Sequence, residues 1–589
     1  MKSYRTLWPY FRRYAARLAL GIAALVICDL IQLLMPRVIK SAVDYIASPG
    51  AGTGRLAVFG LIILAMALAV GMFRYIWRIL ILGFSRVVEK DIRRRLHAKL
   101  ITLPPQWFLT RTTGDIMAHA TNDLEAVRMA AGFGLVAIAD SILMGTASIG
   151  FMIWIDLRLT ILAMIPMPLV TIITRRIGKV MHRRYLRVQN IFGQLTGLVR
   201  EYVSGVRVVK ASVTEDLAVQ AVNDVGEKYV RENVRLNAVT GAFFPMMIMF
   251  TNISLAIVLY VGGKLAISGT ISVGEFVAFL SYLALITWPM MALGWVTNLV
   301  QRGAAALDRI NSVLDKSQDI TDPPTPIFLE DPQGRVSFRN LHFAFPERNE
   351  PVFDGLTMEF PAKSITAIVG RTGSGKSAAL NLIPRLFDPP PGTVFLDGID
   401  VRDLALADLR RQVGYVPQDG YIFSGTVADN LAFGKPDATM DEIRRAARDA
   451  ELDDEIMAFP NGYQTLVGER GITLSGGQKQ RLSLARALLM NPPILILDDT
   501  FSAVDASAEE RIVNRLAEQR NRTTILASHR LTTLKVADLI HVIEDGRVSE
   551  SGTHEELIEK GGYFARLYHL QYAQAEASRL PKPVQAATV

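Results

Sequence analysis

The sequence is poor in cysteine and in charged residues. Cys28 is the single cysteine among 589 residues, so the chain has no intramolecular disulfide and no thiolate cluster for a metal. Only 20% of the residues are charged, whereas 50% are hydrophobic. The formal net charge is +8, but no basic stripe interleaved with aromatics accompanies it, which argues against nucleic acid as a partner. We expect most of this positive charge to face anionic lipid.

Six long apolar segments follow one another in the first half of the chain. They lie near residues 18–36, 57–83, 133–154, 158–174, 238–262 and 276–300. Each is close to the ~20 residues that a helix needs to cross the hydrocarbon core of a membrane. The first is too long for a cleaved signal peptide, so we expect it to remain a membrane helix. Residues 1–320 are therefore predicted to form an α-helical transmembrane bundle of six spans.

Lysine and arginine predict the orientation of these spans. They crowd the N-terminal tail and the two long connections after the second and fourth spans. Because cytoplasmic connections carry the excess of positive charge, we expect the N-terminus and both connections to be cytoplasmic. A multi-pass protein of the cell membrane, inner or plasma, is the expected form.

The second half of the sequence resembles a soluble domain. Residues 321–335 contain four prolines and are predicted to be a linker, residues 336–570 an α/β domain, and residues 571–589 a flexible tail. The apolar runs 365–369, 494–497 and 524–527 are short and uninterrupted, as in strands that are buried on both faces of a parallel sheet.

A phosphate-binding pattern follows the first of these runs. It reads G-x-x-x-x-G-K-S and lies between an apolar strand and a helical segment. Backbone N–H groups of such a loop converge on phosphate oxygens, the lysine adds a positive charge, and the serine hydroxyl can ligate Mg²⁺. The predicted ATP-binding residues are Gly370, Arg371, Thr372, Gly373, Ser374, Gly375, Lys376 and Ser377.

Asp498 ends the aliphatic run 494–497. In this setting an aspartate holds Mg²⁺ through water, together with the serine of the phosphate loop. A helix N-cap is the alternative role for an isolated aspartate, but the phosphate loop favours the metal role. The predicted cofactors are ATP and Mg²⁺, and the two motifs define a P-loop nucleoside triphosphatase.

A short motif just before the run 494–497 identifies the family. It resembles the signature of ATP-binding cassette (ABC) proteins and consists of Leu474, Ser475, Gly476, Gly477 and Gln478. With the spans, the resemblance indicates a half-transporter of the six-helix exporter type, and the family's signature acts on ATP held by a second cassette. Four further residues carry the resemblance. Gln418 resembles the Q-loop glutamine, which is a Mg²⁺ ligand, and Asp505 resembles the D-loop aspartate. His529 resembles the switch histidine, and Phe345 stands where the family stacks a tyrosine on adenine.

Asp499 departs from the family pattern. Working ATPases of this family carry a glutamate here as the catalytic base, and the shorter side chain would hold its carboxylate about 1.5 Å further from the attacking water. The resemblance is therefore to the weak-site subunit of heterodimeric multidrug exporters, with a second ABC half-transporter as partner. A homodimer with two slow sites, exporting lipid or peptide, is the alternative. A receptor or channel on the same scaffold is a further one.

The transported substrate is predicted only as a class. The spans contain the ionisable residues Asp29, Arg74, Arg78 and Asp140, which are candidates for a pathway lining or a buried pair, and the arginines could instead snorkel to the membrane surface. Methionines and aromatics of the last two spans could line an adaptable cavity or only pack between helices. We expect a hydrophobic or amphipathic, drug-like or lipid-like substrate. The residues concerned are Phe243, Phe244, Met246, Met247, Met249, Trp288, Met290, Met291 and Trp295.

Overall fold

The computed structural model describes residues 3–49, 51–345, 350–468, 474–528 and 530–579. Within these ranges the description excludes the side chains of residues 3, 167–171, 173–175, 243, 244, 247, 291, 293, 294, 531, 571 and 574–579. The chain divides into two compact units, each with its own core. The first comprises Met1–Thr102 and Arg111–Lys316, and the second comprises Leu103–Thr110 and Ser317–Val589.

The first unit is built from long helices. Four short π-helical turns lie within them, at Arg78–Leu82, His119–Asp123, Ala130–Gly134 and Val258–Gly262. A 3-10 turn, Ser3–Leu7, precedes them. The helices are Trp8–Arg13, Ala15–Ile46, Thr53–Trp77, Gly83–Thr102, Thr113–Ala118, Leu124–Met129, Leu135–Ile155, Leu157–Met164, Pro166–Ser204, Val206–Ala211, Glu215–Ile257, Gly263–Ile267 and Val273–Leu314.

Five helical stretches among the described residues are long and apolar enough to cross a membrane. They are Ala15–Ile46, Thr53–Thr102, Thr113–Ile155, Ile248–Ile267 and Val273–Leu314. The predicted fourth span, near 158–174, includes side chains outside the description, so the count of six stays a prediction. The long connections after the second and fourth predicted spans are largely helical, since Gly83–Thr102 and Pro166–Ser204 extend far beyond the apolar segments.

Buried polar contacts hold the first unit together where its helices meet. Tyr282 is fully buried, its ring stacks on Phe151 with centroids 5.1 Å apart, and its hydroxyl donates a 2.9 Å hydrogen bond to the carbonyl of Leu33. Gly274 allows a close helix approach, because an added Cβ would lie 2.3 Å from the carbonyl oxygen of Lys40. These contacts fasten the last helix of the unit to the first long one.

The second unit contains twelve strands in three sheets among the described residues. A six-stranded sheet has the order β12-β11-β3-β10-β9-β6 and is parallel except for its β11–β12 edge. An antiparallel sheet has the order β2-β1-β4-β5, and β7 pairs with β8. The strands are β1 Val336–Phe343, β2 Phe353–Phe360, β3 Ile365–Gly370, β4 Val394–Leu396, β5 Ile399–Asp400, β6 Val413–Val416, β7 Gly425–Thr426, β8 Leu466–Val467, β9 Ile494–Asp498, β10 Thr523–Ala527, β11 Leu539–Glu544 and β12 Arg547–Gly552.

Helices accompany this sheet, as expected for an α/β domain. Two 3-10 turns, Ala432–Gly434 and Gly462–Gln464, lie among them. The helices are Pro105–Leu109, Lys376–Leu382, Leu406–Arg411, Val427–Leu431, Met440–Asp449, Asp453–Met457, Gly476–Leu489, Ala506–Glu518, Leu531–Lys535, His554–Glu559 and Tyr563–Arg579.

The three apolar runs form neighbouring central strands, as predicted. Every residue of β3, β9 and β10 is buried, which explains why their sequences show no polar alternation. Since parallel strands end at one edge of the sheet, the carboxyl ends of β3 and β9 lie on either side of that of β10. This edge brings the phosphate loop and Asp498 together.

The predicted linker and tail are more ordered than their sequences suggest. Ile327 forms a short parallel bridge with Leu404, so the proline-rich segment 321–335 is tied to the second unit. Residues 571–579 belong to the helix Tyr563–Arg579, because they are rich in alanine and lack glycine and proline. The helix thus extends into the predicted tail, residues 580–589 lie outside the description, and the flexibility of the tail stays a prediction.

Candidate nucleotide site

The loop after β3 has a backbone that only glycine adopts easily. Gly373 and Gly375 have φ values of +86° and +96°. A Cβ on Gly375 would also lie 2.7 Å from the ring of Phe353, whereas Gly373 faces open space. The helix Lys376–Leu382 begins directly after this turn. Its N-terminal N–H groups lack partners within the helix and favour an anion at this position.

Lys376 and Ser377 connect the loop with the end of β9. The Lys376 ammonium donates to the carbonyls of Gly370 and Arg371 at 2.9 and 3.0 Å. Burial lowers the pKa of Lys376, and the negative charges of Asp499 and Asp498 partly offset this effect. The loop lysine therefore lies beside both carboxylates.

Ser377 and Asp498 are in direct contact. The Ser377 hydroxyl donates to a carboxylate oxygen of Asp498 at 2.9 Å. Burial raises the pKa of Asp498, hydrogen bonds from Ser377 and Tyr415 act in the opposite direction, and the charge of Asp499 raises it again. Two hard oxygen ligands at this distance fit the partial coordination that proteins offer to Mg²⁺. The donor set of the site thus suits the expected metal.

Tyr415 is a site residue that sequence patterns missed. Its hydroxyl lies 3.3 Å from the second carboxylate oxygen of Asp498, and burial beside this carboxylate raises the pKa of the phenol. The available signal was one tyrosine within the apolar strand β6, just before Gln418. No family motif names that position, so only the strand order β6 beside β9 reveals its role.

A cavity of about 310 Å³ is lined by most of the residues predicted for the ATP pocket. Gln418 lines it, and so do both carboxylates at the end of β9. Gly370, Arg371 and Ser374 belong to the same loop, although they do not line the cavity among the described residues. His529 lies outside the described residues. The lining residues are Phe345, Val352, Thr372, Gly373, Gly375, Lys376, Ser377, Ala378, Gln418, Asp498, Asp499 and Ala527.

Phe345 forms an aromatic edge of this cavity. Its ring packs edge-on against Phe343 and Phe387, with centroid distances of 5.3 and 5.1 Å. Such edge-to-face pairs fix a ring in place and leave its π-face available for stacking. Phenylalanine keeps this face and lacks only the hydroxyl of the tyrosine that the family usually carries.

Asp499 has a left-handed backbone conformation, which favours aspartate over glutamate at this position. Its φ is +46°, and its N–H donates to the carbonyl of Ala527 at 3.0 Å. Aspartate and asparagine tolerate this left-handed region better than other residues with a Cβ. The strand end therefore gives aspartate a conformational advantage over glutamate that is independent of catalysis.

The signature residues form a helix start that packs against the turn after β9. Ser475 caps the helix Gly476–Leu489 through a reciprocal pair of hydrogen bonds with Gln478, at 3.2 and 2.9 Å. A Cβ on Gly477 would lie 2.8 Å from the carbonyl oxygen of Ala503, so the close packing requires glycine. Leu474 is buried beneath the helix start. Among the described residues, this motif does not line the cavity of its own chain.

The turn after β9 is tied to the signature helix and to the next helix. Gln480 donates to the Ser502 hydroxyl at 2.7 Å and accepts from the N–H of Ala503 at 2.8 Å. Asp505 caps the helix Ala506–Glu518, and the backbone N–H of Ala508 holds the pKa of Asp505 below its usual range. Gln480 belongs to the same sequence motif as the signature residues, and the structure adds its contacts with this turn.

Glu509 organises the segment that follows β10. It is buried and pairs with Arg530, and it accepts hydrogen bonds from Thr532 and Thr533 at 2.5 and 2.9 Å. Arg530 in turn donates to the carbonyls of Val504 and Ser502 at 3.0 and 2.9 Å. This network connects the residue next to His529 with the turn after β9.

Tyr415→Phe tests the electrostatics of Asp498. Because the tyrosine hydroxyl lowers the pKa of Asp498, its loss should raise that pKa further. When the solution is acidified, the Asp498 carboxylate of the variant should therefore become protonated at a higher pH than that of the wild type. The acid limb of Mg²⁺-dependent nucleotide binding should move upward by about 0.4 to 1 pH unit. Binding of a fluorescent ATP analogue, titrated between acid and neutral pH, measures the shift.

Tyr463→Phe is the matched control. Its hydroxyl donates to the buried Asp453 at 2.5 Å, and it does not line the cavity. An acid limb at the same pH in wild type and Tyr415→Phe would contradict this description of Asp498.

Glu509→Gln tests the network after β10. The substitution leaves Arg530 without its anionic partner and should lower the free energy of unfolding by about 2 kcal/mol. The thermal unfolding midpoint of the full chain should then fall by several degrees. Thermal unfolding in detergent measures this change. Glu510→Gln is the control, since the neighbouring carboxylate is exposed. Equal midpoints for the two variants would rule out the network as a stabilising element.

Known proteins resemble both halves of this chain. The family model described as the ABC transporter transmembrane region matches residues 18–290, and the model described as ABC transporter matches residues 353–502. A probable multidrug resistance ABC transporter ATP-binding/permease protein of Bacillus subtilis, YheI, is 36% identical over 95% of this chain and 96% of its own length. The multidrug resistance-like ATP-binding protein MdlA of Escherichia coli is 36% identical over 99% of each chain.

Two further proteins extend this similarity. An ATP-dependent lipid A-core flippase of Syntrophus aciditrophicus is 32% identical over 98% of this chain and 95% of its own length. The structure of a bacterial Atm1-family ABC exporter with ATP bound superposes with a TM-score of 0.78 at 27% identity, covering 95% of this chain and 98% of that one. The chain belongs to the ABC transporter family, as an exporter half-transporter whose transmembrane region precedes an ATPase cassette.

Proposed function

We propose that this chain is one half of an exporter that uses ATP to move hydrophobic or amphipathic molecules across the cell membrane. Support comes from the apolar helices of the first unit and from the cavity at the sheet edge of the second unit. Two relatives are named for multidrug resistance and for lipid A-core flipping, and such names agree with this substrate class. The N-terminus and the cassette are assigned to the cytoplasm because positive charge crowds the N-terminal tail and the two long connections.

Different residues of the cassette bind the base, the phosphates and the Mg²⁺ ion of ATP in this proposal. Phe345 stacks on the base, and the phosphate loop with Lys376 holds the phosphates. Ser377, Gln418 and Asp498 hold Mg²⁺, which supplies positive charge against the phosphate oxygens when bound. His529, which lies outside the described residues, is assigned the role of the switch histidine on the sequence resemblance alone.

A weak catalytic base is the distinctive part of the proposal, and one observation carries it. Asp499 lines the cavity beside Asp498 and Lys376, in the place where the family uses glutamate. Its carboxylate is one methylene closer to the backbone, and a general base displaced by about 1.5 Å loses about 10²-fold or more in rate. The pocket of this chain is therefore assigned to binding and slow hydrolysis.

The intact signature motif then requires a second chain. In the family, the signature completes the ATP site of the opposite cassette, and this chain has one cassette. Ser475, Gly476 and Gly477 form a capped helix start that suits this role. We infer a heterodimer in which this chain's signature serves a partner site that carries the stronger base.

A homodimer is the second candidate. The left-handed backbone of Asp499 favours it, because this conformation explains the aspartate without any loss of function. Both sites would then be equal, and Asp499 would serve as the working base of each. The two candidates differ in what Asp499→Asn does to turnover.

Asp499→Asn and the matching Glu→Gln of the partner separate the two candidates. For the heterodimer, the chain alone should hydrolyse little ATP, and Asp499→Asn should change the turnover of the complex less than twofold. The partner's Glu→Gln should lower it about 10²-fold or more, since it removes the general base. Phosphate release by the purified complex and efflux from loaded vesicles measure both activities.

Lys376→Ala is the control for the pocket assignment. Photolabelling of this chain by an azido-ATP analogue should drop, while the partner remains labelled. If Asp499→Asn alone silences hydrolysis and efflux, the heterodimer with a weak site is wrong and the homodimer stands.

A further inference from the structure

Four candidate spans each contribute one polar or aromatic side chain to a cluster in the first unit. The residues are Asp29, Arg74, Asp140 and Trp288, from the spans Ala15–Ile46, Thr53–Thr102, Thr113–Ile155 and Val273–Leu314. The two carboxyl groups lie within hydrogen-bonding reach of each other, and the Trp288 indole N–H donates to Asp140. The Arg74 guanidinium is close enough to attract both carboxylates. This set is called the Asp29–Asp140 cluster.

One buried oxygen atom of the cluster has no hydrogen-bond partner among the described residues. Asp29 is only 2% exposed, and its Oδ2 has no hydrogen-bond partner among the described residues. Arg74 attracts the Asp29 carboxylate by its charge but donates no hydrogen bond to this atom. A buried oxygen in a membrane span is costly without a partner, and such residues mark ion or substrate pathways. The unpartnered oxygen points to a missing ligand.

Charge balance defines what the cluster can hold. Two carboxyl oxygens can share a hydrogen bond only if one of them carries a proton. With that proton, one carboxylate and Arg74 form a neutral set. Cys28 is the remaining titratable group in contact, and its thiol donates toward the carbonyl of Val70 at 3.7 Å. Loss of the proton leaves one uncompensated negative charge, which attracts one positive charge.

We propose that the Asp29–Asp140 cluster binds the positively charged group of the exported molecule, and that a proton occupies it when no cargo is bound. On binding, the shared O–H bond breaks, the proton leaves to solvent, and the cargo cation takes its place between the two carboxylates. No oxidation or group transfer is involved. This inference rests on the proposed export function and assigns its substrate class, a hydrophobic organic cation.

Trp288 favours an organic cation over a metal ion. Its side chain is half exposed, and its N–H is held by Asp140, so an indole face is available at the open side of the cluster. Tryptophan faces attract organic cations through their quadrupole, and the apolar ring suits their substituents. A small hydrated metal ion would gain nothing from the ring.

Binding of radiolabelled tetraphenylphosphonium to the purified full chain tests the proposal without nucleotide. Since one proton competes with one cation, the affinity should rise about tenfold per pH unit on the acid side of the transition. A pH indicator in weak buffer should report about one proton released per probe bound. Tetraphenylborate, of the same shape and opposite charge, should show neither effect.

Substitutions in the cluster localise the effect. Asp29→Asn and Asp140→Asn should each abolish proton release and flatten the pH dependence, whereas Asp140→Glu should retain both. Asp156→Asn is the matched control, because this carboxylate only caps the helix Leu157–Met164 through the N–H of Leu159 at 2.6 Å. Asparagine caps equally well, so the variant should behave as wild type.

Binding that does not depend on pH in wild type would overturn the proposal, and so would unchanged proton release in both asparagine variants. Because no nucleotide is present, such a failure leaves the ATPase assignment untouched. Conversely, the chain could bind the probe in a pH-dependent manner and yet hydrolyse no ATP with any partner. That result would support the cation site and contradict the proposed export function.

Discussion

The alignment of three parallel strands is the constraint on which the cassette depends. β3 and β9 end on either side of β10, and their ends place the Ser377 hydroxyl 2.9 Å from Asp498. A shift in register would move every side chain of a strand to the opposite face, disrupt the packing on both faces and separate these two residues. The phosphate loop, the candidate metal ligands and the candidate base all occupy this edge. Nucleotide binding is therefore a property of the sheet as a whole.

Packing at the turn after β9 links this edge to the signature helix Gly476–Leu489. Gly477 approaches the carbonyl of Ala503 so closely that a side chain would clash, and Gln480 bonds to the same turn. Arg530, held by Glu509, bonds to carbonyls of that turn from the side of β10. The candidate base and the signature helix are thus joined by one short segment and its hydrogen bonds.

Local sequence patterns predicted the parts whose physics is local. Uninterrupted apolar runs gave β3, β9 and β10, and the glycine spacing gave the phosphate loop. Tyr415 and Glu509 could not be found in this way, because their roles come from strand order and from contacts between segments far apart in sequence. The φ of Asp499 was equally invisible, since one residue type fits both a weak base and a left-handed turn. The sequence analysis placed the domain boundary at residue 570, whereas the helix Tyr563–Arg579 continues past it.

The most direct measurement of the central claim is vanadate trapping in the complex purified through a tag on this chain. Each pocket is photolabelled with an azido-nucleotide after a single turnover, and the trapped product is identified on each chain. The account predicts ATP on this chain, held by Lys376 and Ser377 beside the slow base Asp499, and trapped ADP on the partner. Trapped ADP on this chain, in an amount equal to that on its partner or on a second copy of itself, would contradict it.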